Sequence, residues 1–245
     1  MNLIIDQGNT STKYAVVSVQ GQVVHKTITP NFDTAVVKQL VQNHPLRAIL
    51  VSSVRHDYEV LKPHFEGIGI QVVFFDDDCR LPFTNLYATP KTLGKDRIAG
   101  VCGALKYFAG QNCLVIDAGT CITYDFIDAE KNYHGGSISP GLEMRLKAMQ
   151  HFTGKLPLVS LEWPEDFTGN STQTALQAGT VYGAVNEING FIARYKQRHG
   201  LLQVLMCGGD TDFLAKRCES EIFAASDLVI TGLNEILIYN LPHVA

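Results

Sequence analysis

The feature that most constrains this chain occurs twice. Near the start, the apolar run Leu3-Ile4-Ile5 ends in Asp6-Gln7-Gly8-Asn9-Thr10, and the strand-like KYAVVSV (13–19) follows. In mid-chain, Leu114-Val115-Ile116 ends in Asp117-Ala118-Gly119-Thr120, followed by ITYDFID (122–128). Short apolar runs bounded by turn residues read as buried strands. Each strand therefore delivers a carboxylate to a tight turn that also holds glycine and threonine. The echo predicts a duplicated α/β unit, split as 1–110 and 111–245. Two such turns could face one another across a nucleotide cleft and grip a polyphosphate from both sides.

The segments between the turns fit alternating strands and helices. Residues 22–29 pair with 13–19 as a hairpin across Gln20-Gly21. Residues 34–43 have helical spacing behind Asp33, a candidate N-cap, with Pro45 beyond. RAILVSSV (47–54) is a strand, 57–66 a helix and QVVFF (71–75) a strand. Residues 76–95 are irregular, and 96–108 are helical. After the second turn, 135–141 (GGSISPG) reads as a turn-rich element, 142–152 and 173–198 as helices, and LQVLM (202–206) as a strand. A helix, a strand at DLVIT (227–231) and a closing helix at 233–241 complete the pattern.

Composition narrows the function. With 46% apolar residues, 18% charged residues and a net charge of -4, the 245-residue chain has an ordinary globular balance. Basic residues are scattered, so no nucleic-acid footprint is expected. There is no membrane-length apolar run and no secretory leader pattern, which predicts a cytoplasmic protein. The six cysteines lack Cys-x-x-Cys spacing and are expected to be reduced and buried. The eight histidines are dispersed and suggest no metal site.

Chemistry is best supported at the first turn. Gly8 allows close backbone approach or a positive φ. Asn9, Thr10, Ser11, Thr12 and neighbouring N–H groups can donate to phosphate oxygens, and Lys13 adds positive charge. Asp6 would repel phosphate, so it suits a hydrated Mg²⁺ that bridges phosphates. A plain hairpin turn with an Asx cap is the alternative. Gly94-Lys95-Asp96-Arg97 opens a predicted helix. Asp96 is either that helix's N-cap or a general base for a hydroxyl, with Arg97 holding an anionic group. The Gly-Gly and Pro-Gly pairs at 135–136, 140–141 and 208–209 fit close backbone approach, or simple turns.

In order and spacing, DQGNTSTK (6–13), GKDR (94–97), DAGT (117–120), GGSISPG (135–141), GNSTQTALQAG (169–179), CGGD (207–210) and ITGL (230–233) resemble type III pantothenate kinases. These belong to the acetate kinase/sugar kinase/Hsp70/actin superfamily. The resemblance implies two actin-like, ribonuclease H-like domains and the phosphorylation of pantothenate by ATP, the first step to coenzyme A. It implies an ATP loop at Asp6, Gln7, Gly8, Asn9, Thr10, Ser11, Thr12 and Lys13, with Thr120 also contacting ATP. It further implies Asp96 as proton acceptor and a pantothenate site of Tyr87, Gly94, Lys95, Asp96, Arg97 and Thr172. Asp117 would hold a monovalent cation, K⁺ or NH₄⁺, and the protein would form a homodimer. Gln7 stands where an aliphatic residue is usual, and Cys207 replaces a frequent threonine. The rivals are a kinase or phosphatase for another small molecule and a non-catalytic accessory homologue.

Overall fold

The computed structural model describes residues 1–55 and 57–242, so His56 and His243 lie outside the described residues. Two compact units emerge. The first joins Met1–Tyr107 to the chain from Asp227 onward, and the second is Phe108–Ser226.

The first unit is built on strands β1 (Asn2–Gln7), β2 (Thr12–Val17), β3 (Val23–Thr29), β4 (Ala48–Ser53) and β5 (Gln71–Phe74). They lie in the order β3-β2-β1-β4-β5. The β1–β2 and β2–β3 pairs are antiparallel, and β1–β4 and β4–β5 are parallel. Helix α1 (Thr34–Asn43) starts where Asp33 accepts from the Ala35 N–H at 2.8 Å. A short α2 (Tyr58–Leu61) runs into a 3₁₀ turn, Lys62–Phe65. Leu3, Ile5, Tyr14, Val16, Val37, Leu40, Ile49 and Val51 form the core on this side. Within the stretch expected to be irregular lie only a two-residue strand β6 (Thr84–Asn85) and a 3₁₀ turn, Pro90–Thr92. Helix α3 (Lys95–Tyr107) follows.

The second unit repeats the plan with β7 (Cys113–Ala118), β8 (Cys121–Ile127), β9 (Asn132–Pro140), β10 (Gln203–Cys207) and β11 (Phe223–Ala224). The β7–β8 and β8–β9 pairs are antiparallel, and β7–β10 and β10–β11 are parallel. With β7 taking the place of β1, the strand order and directions match those of the first sheet. Helices α4 (Leu142–Phe152), α5 (Thr172–His199) and α6 (Thr211–Leu214) accompany this sheet. Helix α5 begins with a Ser171/Thr174 capping box and ends at Gly200, whose φ of 74° only glycine adopts readily. β1 and β7 share one burial pattern, in which the aspartate alone keeps some surface.

Three expectations need correction. Residues 135–141 belong mostly to β9, not to a turn. Gly136 permits this, because a Cβ there would lie 1.5 Å from the Tyr124 carbonyl oxygen across the pair. Glycines inside a strand mark such close approaches. Residues 227–231 are not a strand but the start of helix α7 (Leu228–Asn240). A short apolar run does not reveal its own period. Finally, the chain from Asp227 on belongs with the first unit rather than with residues 111–226. The cause is helix packing: α7 lies against α3 and touches β1 and β4.

That packing depends on two glycines. A Cβ on Gly103 would sit 2.5 Å from the Leu228 carbonyl oxygen, and one on Gly232 would sit 1.7 Å from the Ala99 carbonyl oxygen. These are backbone atoms of helices and do not yield. Gly232→Ala should therefore destabilise the protein by about 3 kcal/mol despite alanine's better helix propensity. Urea unfolding checks this, and an unchanged midpoint would contradict the packing argument.

Candidate active site

In the first unit the candidate residues gather where β1 ends. Asp6 faces Lys13 across the β1–β2 ladder and Ser52 on the other side. The turn closes with the Gly8 N–H donating to the Ser11 carbonyl at 3.0 Å. Gly8 does not have a positive φ, and a Cβ there would make only an ordinary contact at 3.6 Å. Of its two expected uses, the positive φ is therefore not realised. Asn9 and Thr10 are exposed, and Ser11 and Lys13 are half-buried. Gln7 and Thr12 have no exposed surface. Gln7 accepts from the Ser53 hydroxyl at 2.8 Å, and the Val54 N–H donates to its carbonyl at 3.0 Å. These two residues hold the loop from beneath. Arg55, which sequence reasoning passed over, donates to the carbonyl oxygens of Asn9 and Pro30. It braces the loop from the side.

Helix α3 opens beside this turn. Asp96 is not its N-cap, since the helix already begins at Lys95. It is exposed in the first turn, and one carboxylate oxygen accepts from the Arg97 N–H at 2.8 Å. Asp96 acts on Asp6, whose carboxyl is raised above 3.8 by burial first and by the Asp96 charge, with Lys13 opposing. Arg97 is 8% exposed, and its guanidinium lies 5.6 Å from the centre of the half-buried Tyr87 ring. Lys95 turns elsewhere. Its ammonium donates to the Tyr58 hydroxyl at 2.7 Å, and burial lowers its pKa against the pull of Asp77 and Asp76. It borders a cavity of about 270 Å³ that Asp76, Asp77, Cys79 and Asn85 also line.

In the second unit Asp117 is the penultimate residue of β7 and Thr120 lies in the turn that follows, where it is exposed. Backbone encloses this turn. A Cβ on Gly208 would come within 2.4 Å of an Asp117 carboxylate oxygen, and Gly208 has a φ of 95°. A Cβ on Gly141 would lie 2.0 Å from the Gly119 carbonyl oxygen. The Gly141 N–H donates to the Thr120 carbonyl at 3.1 Å, and the Asp210 N–H to the Ala118 carbonyl at 2.9 Å. The Pro140-Gly141 and Gly208-Gly209 pairs, weak as separate signals, converge on one turn. Cys207 is buried at 1% exposure, so the position at which a threonine is frequent does not face solvent. Asp210 stands at the N-cap of α6 without a side-chain capping bond, and burial and then Glu143 raise its carboxyl. Thr172 is exposed in the first turn of α5.

Among the described residues no cluster of three or more His, Cys, Asp or Glu forms a metal site, and no helix is long and apolar enough to cross a membrane. All six cysteines are free, with Cys102, Cys113 and Cys207 buried and the other three partly so.

The raised Asp6 carboxyl has a stability consequence. The folded protein holds that proton more tightly than the unfolded chain, so stability falls as pH rises from 3.8 through the higher folded value. Asp6→Asn should flatten this segment of the stability profile. Above it the melting temperature should rise by about 2–4 °C. Thermal melts between pH 4 and pH 8, taken as approximate bounds of the carboxylate-to-neutral range, check it; a lower melting temperature for the variant would contradict it.

The chain is similar to known proteins over nearly its whole length. The family model for type III pantothenate kinase matches residues 2–194. A type III pantothenate kinase from Bacteroides fragilis is 42% identical over 240 residues, covering 98% of each chain. Among solved structures, a conserved Baf-family protein from Campylobacter jejuni superposes with a TM-score of 0.62 at 21% identity, covering 97% of this chain and 98% of that one. An inorganic polyphosphate/ATP-glucomannokinase from Arthrobacter does so with a TM-score of 0.51 at 14% identity, covering 97% and 99%. These two establish the actin-like fold shared with sugar kinases. The chain belongs to the type III pantothenate kinase family.

Proposed function

We propose that this chain transfers the γ-phosphate of ATP to pantothenate, giving ADP and 4′-phosphopantothenate, the first step of coenzyme A biosynthesis. Family membership over nearly the whole chain supports the reaction. The observation that supports the mechanism is the exposed Asp96 carboxylate in the first turn of α3, oriented by the Arg97 N–H, with the Arg97 guanidinium beside Tyr87. A base beside a phosphate loop is what hydroxyl phosphorylation needs.

In this proposal the Asp96 oxygen not held by the Arg97 N–H accepts the proton of the pantothenate hydroxyl. The hydroxyl oxygen forms a bond to the γ-phosphorus. The bond from that phosphorus to the β–γ bridging oxygen breaks, and its electron pair leaves on ADP. Arg97 and Tyr87 offer a cationic and aromatic wall for the acceptor's carboxylate. Ser11, Asn9, Thr10 and Lys13 line the phosphate side, while buried Gln7 and Thr12 fix the loop's shape. Thr120 contacts the nucleotide from its exposed turn, and Thr172 contributes to the acceptor site.

Asp6 would hold Mg²⁺, and it fits one as an oxygen donor at the end of β1 that keeps some surface. When bound, Mg²⁺ supplies charge neutralisation at the phosphates. Asp117 would hold K⁺ or NH₄⁺, and the glycine contact leaves its carboxylate approachable by small groups only. A homodimer and a cytoplasmic location are part of the same proposal. The first is supported by the family, the second by six free thiols, which persist in reducing compartments.

Purified protein should release ADP from ATP only when pantothenate is present; release without that dependence would overturn the acceptor. Asp96→Asn should lower kcat by about 10²–10⁴-fold while ADP binding persists, and near-normal turnover would exclude Asp96 as the base. Asp117→Asn should abolish stimulation by K⁺, measured as kcat with and without KCl. An unchanged stimulation would place the cation elsewhere.

A further inference from the structure

Helix α5 carries an acid that no motif suggested. Glu187 lies 48 residues from Ser139 and 42 from Arg145 in sequence, yet it binds both. One of its oxygens accepts from the hydroxyls of Ser139 on β9 and, at 2.8 Å, Tyr124 on β8. The other accepts from the Arg145 guanidinium of α4 at 2.6 Å. The pair is partly shielded, with side-chain exposures of 19% for Arg145 and 26% for Glu187. Burial works to raise the Glu187 carboxyl, but the Ser139, Arg145 and Tyr124 donors outweigh it and hold it below the ordinary range. Glu187 is therefore an anion at neutral pH.

The chain of contacts continues toward the turn after β7. A second guanidinium nitrogen of Arg145 donates to the Pro140 carbonyl at 2.8 Å. The next residue, Gly141, donates its N–H to the Thr120 carbonyl and is pressed against the Gly119 and Thr120 carbonyl oxygens. Arg145 is thus a two-ended clamp, with one end on Glu187 and the other on the Pro140-Gly141 peptide that supports Thr120.

We propose that Glu187 and Arg145 are a positioning pair for the nucleotide-side turn Asp117–Thr120. They act through Pro140 and Gly141 and touch no ligand themselves. The inference rests on that turn's proposed contact with ATP. A planar guanidinium suits the task, since its separate nitrogens reach two acceptors in fixed geometry, whereas a lysine ammonium is a compact point charge without that fork. Partners that orient a binding group from behind typically change affinity by about 10–100-fold when removed.

Three full-chain variants test this. Glu187→Gln keeps an acceptor for Tyr124 and Ser139 but replaces the charge facing Arg145. Arg145→Lys keeps the charge and loses one end of the clamp. Tyr124→Phe removes a donor to Glu187 without touching Pro140 or Gly141. Calorimetric titration with Mg·ADP should show about tenfold weaker binding for the first two. The KM for ATP should rise in parallel, while the KM for pantothenate stays as in the native chain. Tyr124→Phe should lower the melting temperature and leave nucleotide affinity unchanged. If Glu187→Gln and Arg145→Lys lower the melting temperature but bind ADP like the native chain, the pair only braces the fold and the proposal is overturned. If Glu187→Gln does not fold, Arg145→Lys decides the matter alone. Should the native protein show no pantothenate-dependent turnover, the acceptor assignment falls, and the ADP titration still decides the positioning role.

Discussion

A carboxylate at the end of a fully buried central strand loses hydration, and its charge must be met by something nearby. Both units place one there, and the rest of the site is arranged around it. The solutions differ. At Asp6 the answer is other charges: Lys13 across the ladder lowers the cost, and Asp96 raises it. Around Asp117 the Gly208 and Gly141 backbones approach until no side chain could stand between. The same strand order therefore supports two turns with different surroundings, one bordered by charged side chains and one enclosed by backbone.

Much of this was legible in sequence because it is local. Helices α1 and α4 start and stop where the sequence places them, α1 on its apolar spacing and the Asp33 and Pro45 signals. The β1–β2 and β7–β8 hairpins follow from apolar runs meeting turn residues. The loop from Asp6 to Lys13 was legible as a turn, but not which of its side chains reach solvent. That depends on the ladder: Gln7 pairs with Thr12 at the end of the sheet, and both are covered.

What stayed hidden is non-local. The apolar run at 227–231 looks the same as strand or helix until α3 is there to receive it, and Gly103 and Gly232 show their purpose only when the two helices cross. The glycines of 135–141 suggested a turn because glycine usually breaks strands. Here Gly136 lets β9 approach β8 at Tyr124. Asp96 matched the N-cap pattern, yet the helix starts one residue earlier, and its carboxylate is free of capping duty. Glu187 had no signature because its partners come from β8, β9 and α4, and no spacing rule links them.

Asp96, the proposed base, sits in the first turn of helix α3 rather than at its cap. A capping carboxylate spends its oxygens on backbone donors, and each such bond favours the charged form at the expense of basicity. Asp96 accepts one backbone N–H, which fixes the carboxylate's direction, and its other oxygen is the proposed proton acceptor. The helix that carries it is held by α7 through backbone contacts that admit no side chain. A proton acceptor must hold its distance to the reacting hydroxyl, and backbone packing of this kind suits the role proposed for Asp96.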